Sequence, residues 1–307
     1  MPQATADIKR RIKSIGSTKK VTKAMELVSA AKMRKAIASV LSTRSYSRLA
    51  WELLKRLAQR TNSKYHALLK KRPNLKKIGL VLITSNRGLC GSFNYQIINR
   101  AHDFIKSQKR EIGLEADLVI MGKKGKDVMY KQGHNIIAEF SKLDITTAIE
   151  EIRPLAKLLI DDYLSGKYDK VMIAYTDFIS TLAQKPRLMQ LLPLVRFNED
   201  KYLGQAKEEK STTVEKQESL LKFEYLFEPN PEKVLDELLP RMLEMQIYQA
   251  ILESDASEHS ARMVAMCNAS DSASDMISSL TLAFNKARQS SITSELADIS
   301  GGRAAVE

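Results

Sequence analysis

The chain has 307 residues, of which 44% are hydrophobic, 28% charged and 6% aromatic. That is enough material for one or two packed domains and excludes disorder throughout. No apolar run approaches the roughly 18 residues that cross a bilayer as a helix. The two cysteines, Cys90 and Cys267, are too few and too far apart for a disulfide framework or a four-thiolate metal site. The first residues lack the charged, apolar and small-residue regions of a secretory signal. The expectation is a reducing compartment, the one where the chain is made.

The net charge of +13 is unevenly placed. Residues 1–60 hold 15 Lys and Arg against Asp7, Glu26 and Glu52, a net +12, whereas residues 229–307 hold 6 basic against 12 acidic residues, a net −6. Opposite signs at the two ends favour their meeting. The plainer reading of the basic end is a solvated helix face. An Arg-rich, acid-poor start also suits a mitochondrial transit peptide, but the helical pattern runs far beyond transit length.

From Thr5 to about Ala58 there is no Pro and only Gly16, with Ala, Lys, Arg, Leu, Met and Ser dominating; this predicts one long helix. Its seam, Ile8, Ile12, Ile15, Thr18, Thr22, Met25, Ser29, Lys32 and Ala36, turns small and polar after Ile15, a thin coiled-coil stripe rather than a thick core face. The middle of the chain changes period. Residues 78–84, 117–121, 136–140 and 170–176 are short, apolar and rich in β-branched residues, and predict buried strands. Helical patterns at about 94–110, 123–132 and 146–165 separate them, which argues an α/β unit with a largely parallel sheet. Residues 188–193 and 223–227 are weaker strand candidates, and the charged stretch 198–218 reads as a surface loop.

After Pro229 and Pro231, which suit a helix start, the chain contains only Pro240 and no Gly until Gly301. The stripe 242, 245, 249, 252, 256, 259, 263, 266, 270, 273, 277, 280, 284 and 287 alternates steps of three and four. That is the 3.5-residue repeat of a left-handed supercoil. Its methionines read as core packing. The domain plan is therefore a coiled-coil helix at 1–60, an α/β domain at 75–228 and a second coiled-coil helix at 229–307.

The search for chemistry returns little. Residues 85–92 (SNRGLCGS) lie between a strand and a helix, where a phosphate loop would sit, but GLCG has neither dinucleotide-binding nor P-loop spacing. Residues 122–126 (GKKGK) fail the same tests. Cys90 has no visible base to activate it and reads as a packed loop residue. His66, His102, His134 and His259 are scattered, with no metal-ligand spacing. Asp161 and Asp162 are adjacent on a helix and point apart. The expectation is no catalytic residue, no cofactor site and no metal site.

Four stretches carry a resemblance. Residues 12–36 (IKSIGSTKKVTKAMELVSAAKMRKA) closely resemble the N-terminal helix of the gamma subunit of F-type ATP synthase. SNRGLCGSFN at 85–94 is similar to that family's loop after the first strand, and YLFEPNP at 225–231 to its lead into the final helix. Residues 261–299 (ARMVAMCNASDSASDMISSLTLAFNKARQSSITSELADI) resemble its C-terminal helix. The resemblance spans essentially the whole chain.

It implies a long antiparallel coiled coil of the N- and C-terminal helices with an inserted Rossmann-like α/β domain, acting as the central rotating shaft of the synthase. Such a shaft couples ion-driven c-ring rotation to ATP synthesis or hydrolysis at sites on the beta subunits and catalyses nothing itself. The implied partners are three alpha and three beta subunits around the coiled coil, with the epsilon subunit and the c-ring at the foot. The membrane is reached only through the c-ring, at the cytoplasmic face of a bacterial plasma membrane. By position, Lys20, Lys23, Met25, Arg34, Arg288, Gln289 and Thr293 match beta-subunit contacts of the family, and Phe227 and Glu228 match the foot near the c-ring or epsilon.

The chain departs from the family pattern in places. Asn86 stands where the family usually has Asp, which removes a charge beside Arg87. Arg303 and Glu307 lie in a tail that is usually small and apolar. No cysteine pair in the middle domain offers a thiol switch. Two alternatives remain from the residues alone: a nucleic-acid-binding protein using the +12 helix, against which Tyr46 and Trp51 offer little stacking, and a small Rossmann-type enzyme, against which the missing phosphate fingerprint speaks.

Overall fold

The computed structural model describes residues 2–60, 66–70, 72, 75–144, 148–194, 228 and 230–304. The weaker strand candidate at 223–227 and the loop at 198–218 lie outside them. In chain order the elements are α1 (Pro2–Arg60), β1 (Lys77–Ile83), α2 (Phe93–Ile112), β2 (Glu115–Met121), α3 (Lys123–Lys131), β3 (Ile136–Phe140), a single 3₁₀ turn (Ile149–Glu151), α4 (Arg153–Leu164), β4 (Lys170–Phe178), β5 (Gln184–Leu192) and α5 (Pro231–Ala304). The helix predicted over 146–165 is thus the 3₁₀ turn plus α4. Pro154 at the start of α4 suits the first helical turn, where its missing N–H costs nothing.

The five strands form one sheet in the order β3-β2-β1-β4-β5. β1 to β4 are parallel, and β5 returns antiparallel at one edge, Val171 opposite Leu192 and Phe178 opposite Gln184. This is a Rossmann-like order whose strand sequence reverses between β1 and β4. Alternation along β1 sends its side chains to two layers. Ile78, Leu80 and Leu82 join Ile97, Ile98 and Ala101 of α2 and Met129 of α3. Val81 and Ile83 join Leu155 and Leu159 of α4, Val40 of α1 and the α5 residues Leu235, Leu239, Leu243, Ile247 and Ile251.

The chain divides into two compact bodies, Met1–Ala30 with Arg262–Glu307, and Ala31–Ala261. In the first, Lys23 lies beside Cys267 and Asp271; in the second, His66, beyond the end of α1, pairs with Asp236 across 2.9 Å. Higher numbers on one helix meet lower numbers on the other, so α1 and α5 run antiparallel. On α5 the inward residues of the first body are Met266, Ser270 and Ala273, followed by half-buried Ile277, Leu280, Phe284 and Ala287, the spacing expected of a supercoil. On α1 the seam follows the expectation in part. Thr22, Ser29 and Ala36 are buried as expected, Met25 and Lys32 are half-buried, and Thr18 is exposed, while Met33 is buried and Lys19 and Glu26 are half-buried outside the expected stripe. Among the described residues no helix is long and apolar enough to cross a membrane.

Candidate functional site: the seat of the C-terminal helix and the faces of the paired helices

Residues 252–260 of α5 are buried around the whole helix circumference. A helix enclosed on all sides is normally apolar, yet this one reads LESDASEHS. Its polar groups are met from two directions. From the β4–β5 side, Ser257 Oγ donates to Thr176 O at 3.2 Å and Ser260 Oγ donates to Thr181 O at 2.6 Å. From the segment after β3, the Lys142 ammonium lies 3.0 Å from Asp255 Oδ1 and 2.5 Å from Glu258 Oε2. His259 Nε2 is 2.8 Å from Asp144 O, and because a carbonyl only accepts, that nitrogen carries the proton. Asp144 in turn pairs through Oδ2 with Lys32 Nζ of α1 at 2.7 Å, and this hydrogen bond holds its carboxyl below the usual range.

The Lys142 side chain is 2% exposed. Burial alone would push its pKa down; the charges of Glu258 and Asp255, with their hydrogen bonds, outweigh that and hold it above the ordinary lysine value. The ammonium therefore stays charged inside the protein, balanced by two carboxylates. Removing the ammonium would take a buried counterion away from both carboxylates, a costly change in an interior ion cluster.

The loop after β1 braces this segment. Asn86 Nδ2 donates to Lys142 O at 2.6 Å, and its Oδ1 accepts from Lys123 N at 3.3 Å. Asn86 thus holds two chain segments together. Leu89 takes φ 63°, the left-handed region, to complete the turn. Cys90 is buried beneath it, with Asn94 Nδ2 3.2 Å from its sulfur. Its contacts are those of a packed loop residue. Two histidines that are scattered in sequence meet: His102 Nδ1 and His134 Nε2 are 2.9 Å apart, with the rings edge to face. Among the described residues, no group of three or more His, Cys, Asp or Glu is arranged to hold a metal ion.

The family-matched positions fall in separate places. In the body formed by Met1–Ala30 and Arg262–Glu307, Lys20, Arg288, Gln289 and Thr293 are exposed and Met25 is half-buried. Lys23 is exposed and pairs with Glu26 at 2.9 Å. Lys23 faces the level of Cys267 and Asp271, so Arg288 is some 17 to 21 residues further along α5, about 25–30 Å at the helical rise. The two sets are not brought together. Arg34 and Glu228 belong to the other body. Arg34 is exposed, and the equally exposed Glu228 lines a shallow groove with Lys233 and Arg241. Phe227 lies outside the described residues. The sequence reading missed the Lys142 cluster and the histidine pair. The one signal for the former was a charged run inside an otherwise apolar helix stripe.

Long helices from the two chain ends, with an α/β sheet inserted between them in sequence, define the class of fold. A family model described as ATP synthase matches residues 4–306. The ATP synthase gamma chain of Pelotomaculum thermopropionicum is 43% identical over 301 residues, covering 98% of each chain. That of Chloroflexus aurantiacus is 41% identical over 305 residues, covering 99% of each. A chain in the cryo-EM structure of the Euglena gracilis mitochondrial ATP synthase (OSCP/F1/c-ring, rotational state 3) aligns over 100% of this chain and 95% of its own length, with TM-score 0.65 and 18% identity; at that identity the likeness carries the fold. The chain belongs to the ATP synthase gamma chain family. It is accordingly a central-stalk subunit of the F-type ATP synthase, a membrane-associated multisubunit enzyme.

Proposed function

We propose that this subunit is the non-catalytic rotating shaft of its enzyme. On this reading α1 and α5 stand within a ring of three alpha and three beta subunits, and residues 75–228 form the foot on the c-ring and the epsilon subunit. The enzyme lies at the cytoplasmic face of a bacterial plasma membrane, which the subunit meets through the c-ring. One observation supports this best: in the Met1–Ala30 and Arg262–Glu307 body the helices bury only a narrow seam of small and polar side chains, and leave exposed the basic residues of α1 together with apolar ones such as Leu27, Leu282 and Ile299, so most of each helix's surface is left to face a surrounding collar. A shaft that offers a different face to each beta subunit biases each toward a different nucleotide occupancy. Lys20, Lys23, Met25, Arg34, Arg288, Gln289 and Thr293 are the proposed beta-subunit contacts. Phe227 and Glu228 are the proposed contacts with the c-ring or epsilon. Family membership leaves the nucleic-acid reading of the basic helix without support.

The test is reconstitution. Matching alpha and beta subunits are mixed with and without this chain, separated by size exclusion, and assayed for ATP hydrolysis. One chain per hexamer, stimulation of turnover, and no hydrolysis by the chain alone are expected. Separate elution with unchanged turnover would refute the reading.

A further inference from the structure

One row of the apolar contact between α5 and the α/β sheet is nearly indifferent to sliding, with Tyr248, Ala250 and Leu252 of the same cluster lying off it. Leu235, Leu239, Leu243, Ile247 and Ile251 recur every four residues, and all are buried in one cluster. A shift of α5 by four residues, about 6 Å, would exchange Leu for Leu or Ile along most of that row. That row alone discriminates weakly between such registers.

The polar stretch that follows discriminates strongly. We propose that Lys142, Asp255 and Glu258 form a register key, which fixes the axial and rotational position of α5 on the α/β sheet. A slip of four residues in one direction would set the buried ammonium against Ile251 and Ser254, stripping it of both counterions. In the other direction the residues four places on from Asp255 and Glu258 are His259 and Arg262, a proton donor and a cation. Either way a charge is buried unpaired, whereas the native register satisfies it with two carboxylates at 3.0 and 2.5 Å. Fixing register is the best-attested use of a buried polar or ionic group that a well-packed apolar set could replace without loss of stability. Ser257 on Thr176 O, Ser260 on Thr181 O and His259 on Asp144 O pin the same turns of helix from both sides. On the rotor reading, the key keeps a rotation imposed on the α/β domain in phase with α5, so Lys142 is a positioning residue for energy coupling.

The test uses the full chain with Cys90 and Cys267 replaced by Ala and spin labels on cysteines at Leu182 and Arg241, both exposed and both in the Ala31–Ala261 body. K142M alone takes a counterion from two buried carboxylates and threatens folding. The deciding variant is therefore K142M/D255N/E258Q, which keeps shape and removes every charge of the cluster. The parent is expected to give one narrow label-to-label distance. The triple variant, folded and with a melting temperature close to that of the parent, should give a broadened distribution or a second population displaced by about 6 Å. An unchanged distribution would overturn the register key, whatever the rotor does. In the assembled, membrane-reconstituted enzyme the triple variant should hydrolyse ATP within about twofold of the parent while coupling ions pumped per ATP fall at least about threefold. A displaced distribution with unchanged pumping would overturn the link to coupling and leave the key as a folding device.

Discussion

Asn86 donates from Nδ2 to the carbonyl oxygen of Lys142 across 2.6 Å while its Oδ1 accepts from the backbone of Lys123. Only an amide can do both. In Asn86→Asp a carboxylate would face a carbonyl, losing the donated bond and adding repulsion. The variant is expected to lose about 1–3 kcal/mol of stability at neutral pH, read from denaturant midpoints at constant m. An unchanged midpoint would show that the bridge contributes nothing.

The His102–His134 contact gives a pH dependence with a definite sign. Burial, then the neighbouring His102, then Lys109 push the His134 pKa below its ordinary value, so the folded state favours the neutral ring. The unfolded chain takes up the proton first, near pH 6.5. The contribution to stability is therefore complete above that value and is lost as pH falls from there through the lower folded pKa. The melting temperature should be higher at pH 7.5 than at pH 5.5, and His134→Gln should flatten the difference.

Two glycines at the start of α3 approach Thr84 in different ways. At Gly122, with φ 106°, an added Cβ would run into the backbone carbonyl of Thr84; at Gly125 it would lie 2.7 Å from Thr84 Oγ1 and 2.8 Å from its methyl. Gly122→Ala should cost about 2 kcal/mol or more from backbone strain and clash. Gly125→Ala should cost about 1–3 kcal/mol. In a Thr84→Ala background the second penalty should shrink and the first should not, a double-mutant cycle that urea unfolding can measure.

The seam between the paired helices has room only for small side chains where Ser29 and Ser270 are buried. Ser270→Leu is expected to destabilise by about 1–3 kcal/mol through overpacking, whereas Ser272→Leu, two residues on, about 200° around the helix, and exposed, should change the melting temperature little. Equal effects from the two would contradict the seam.

Strands and the C-terminal stripe were legible in the sequence because they obey one period over many residues: the buried face of α5 falls on Met266, Ser270 and Ala273 as its spacing predicts. The α1 seam was legible in part: Thr22, Ser29 and Ala36 are buried where the pattern put them, whereas Thr18 is exposed, and Glu26, half-buried like Met25, pairs with Lys23 at the edge. Long charged side chains can lie along a seam and keep their heads at its margin. The histidine pair was illegible because 32 residues separate its members, and only the sheet's connections bring them together. Lys142 and Glu258 are 116 positions apart, and nothing local marks a loop lysine as buried.

The body formed by Met1–Ala30 and Arg262–Glu307 also sets an order of events at the ribosome. Its first strand of helix is made at once, and its partner arrives only after Ala31–Ala261 has been translated, a wait of about ten to fifty seconds at usual synthesis rates. A thick greasy stripe left bare for that interval would invite aggregation. The basic, thinly apolar character of the first thirty residues lets this half of the pair wait in water, so the same composition that suits a turning axle also suits a helix born long before its mate.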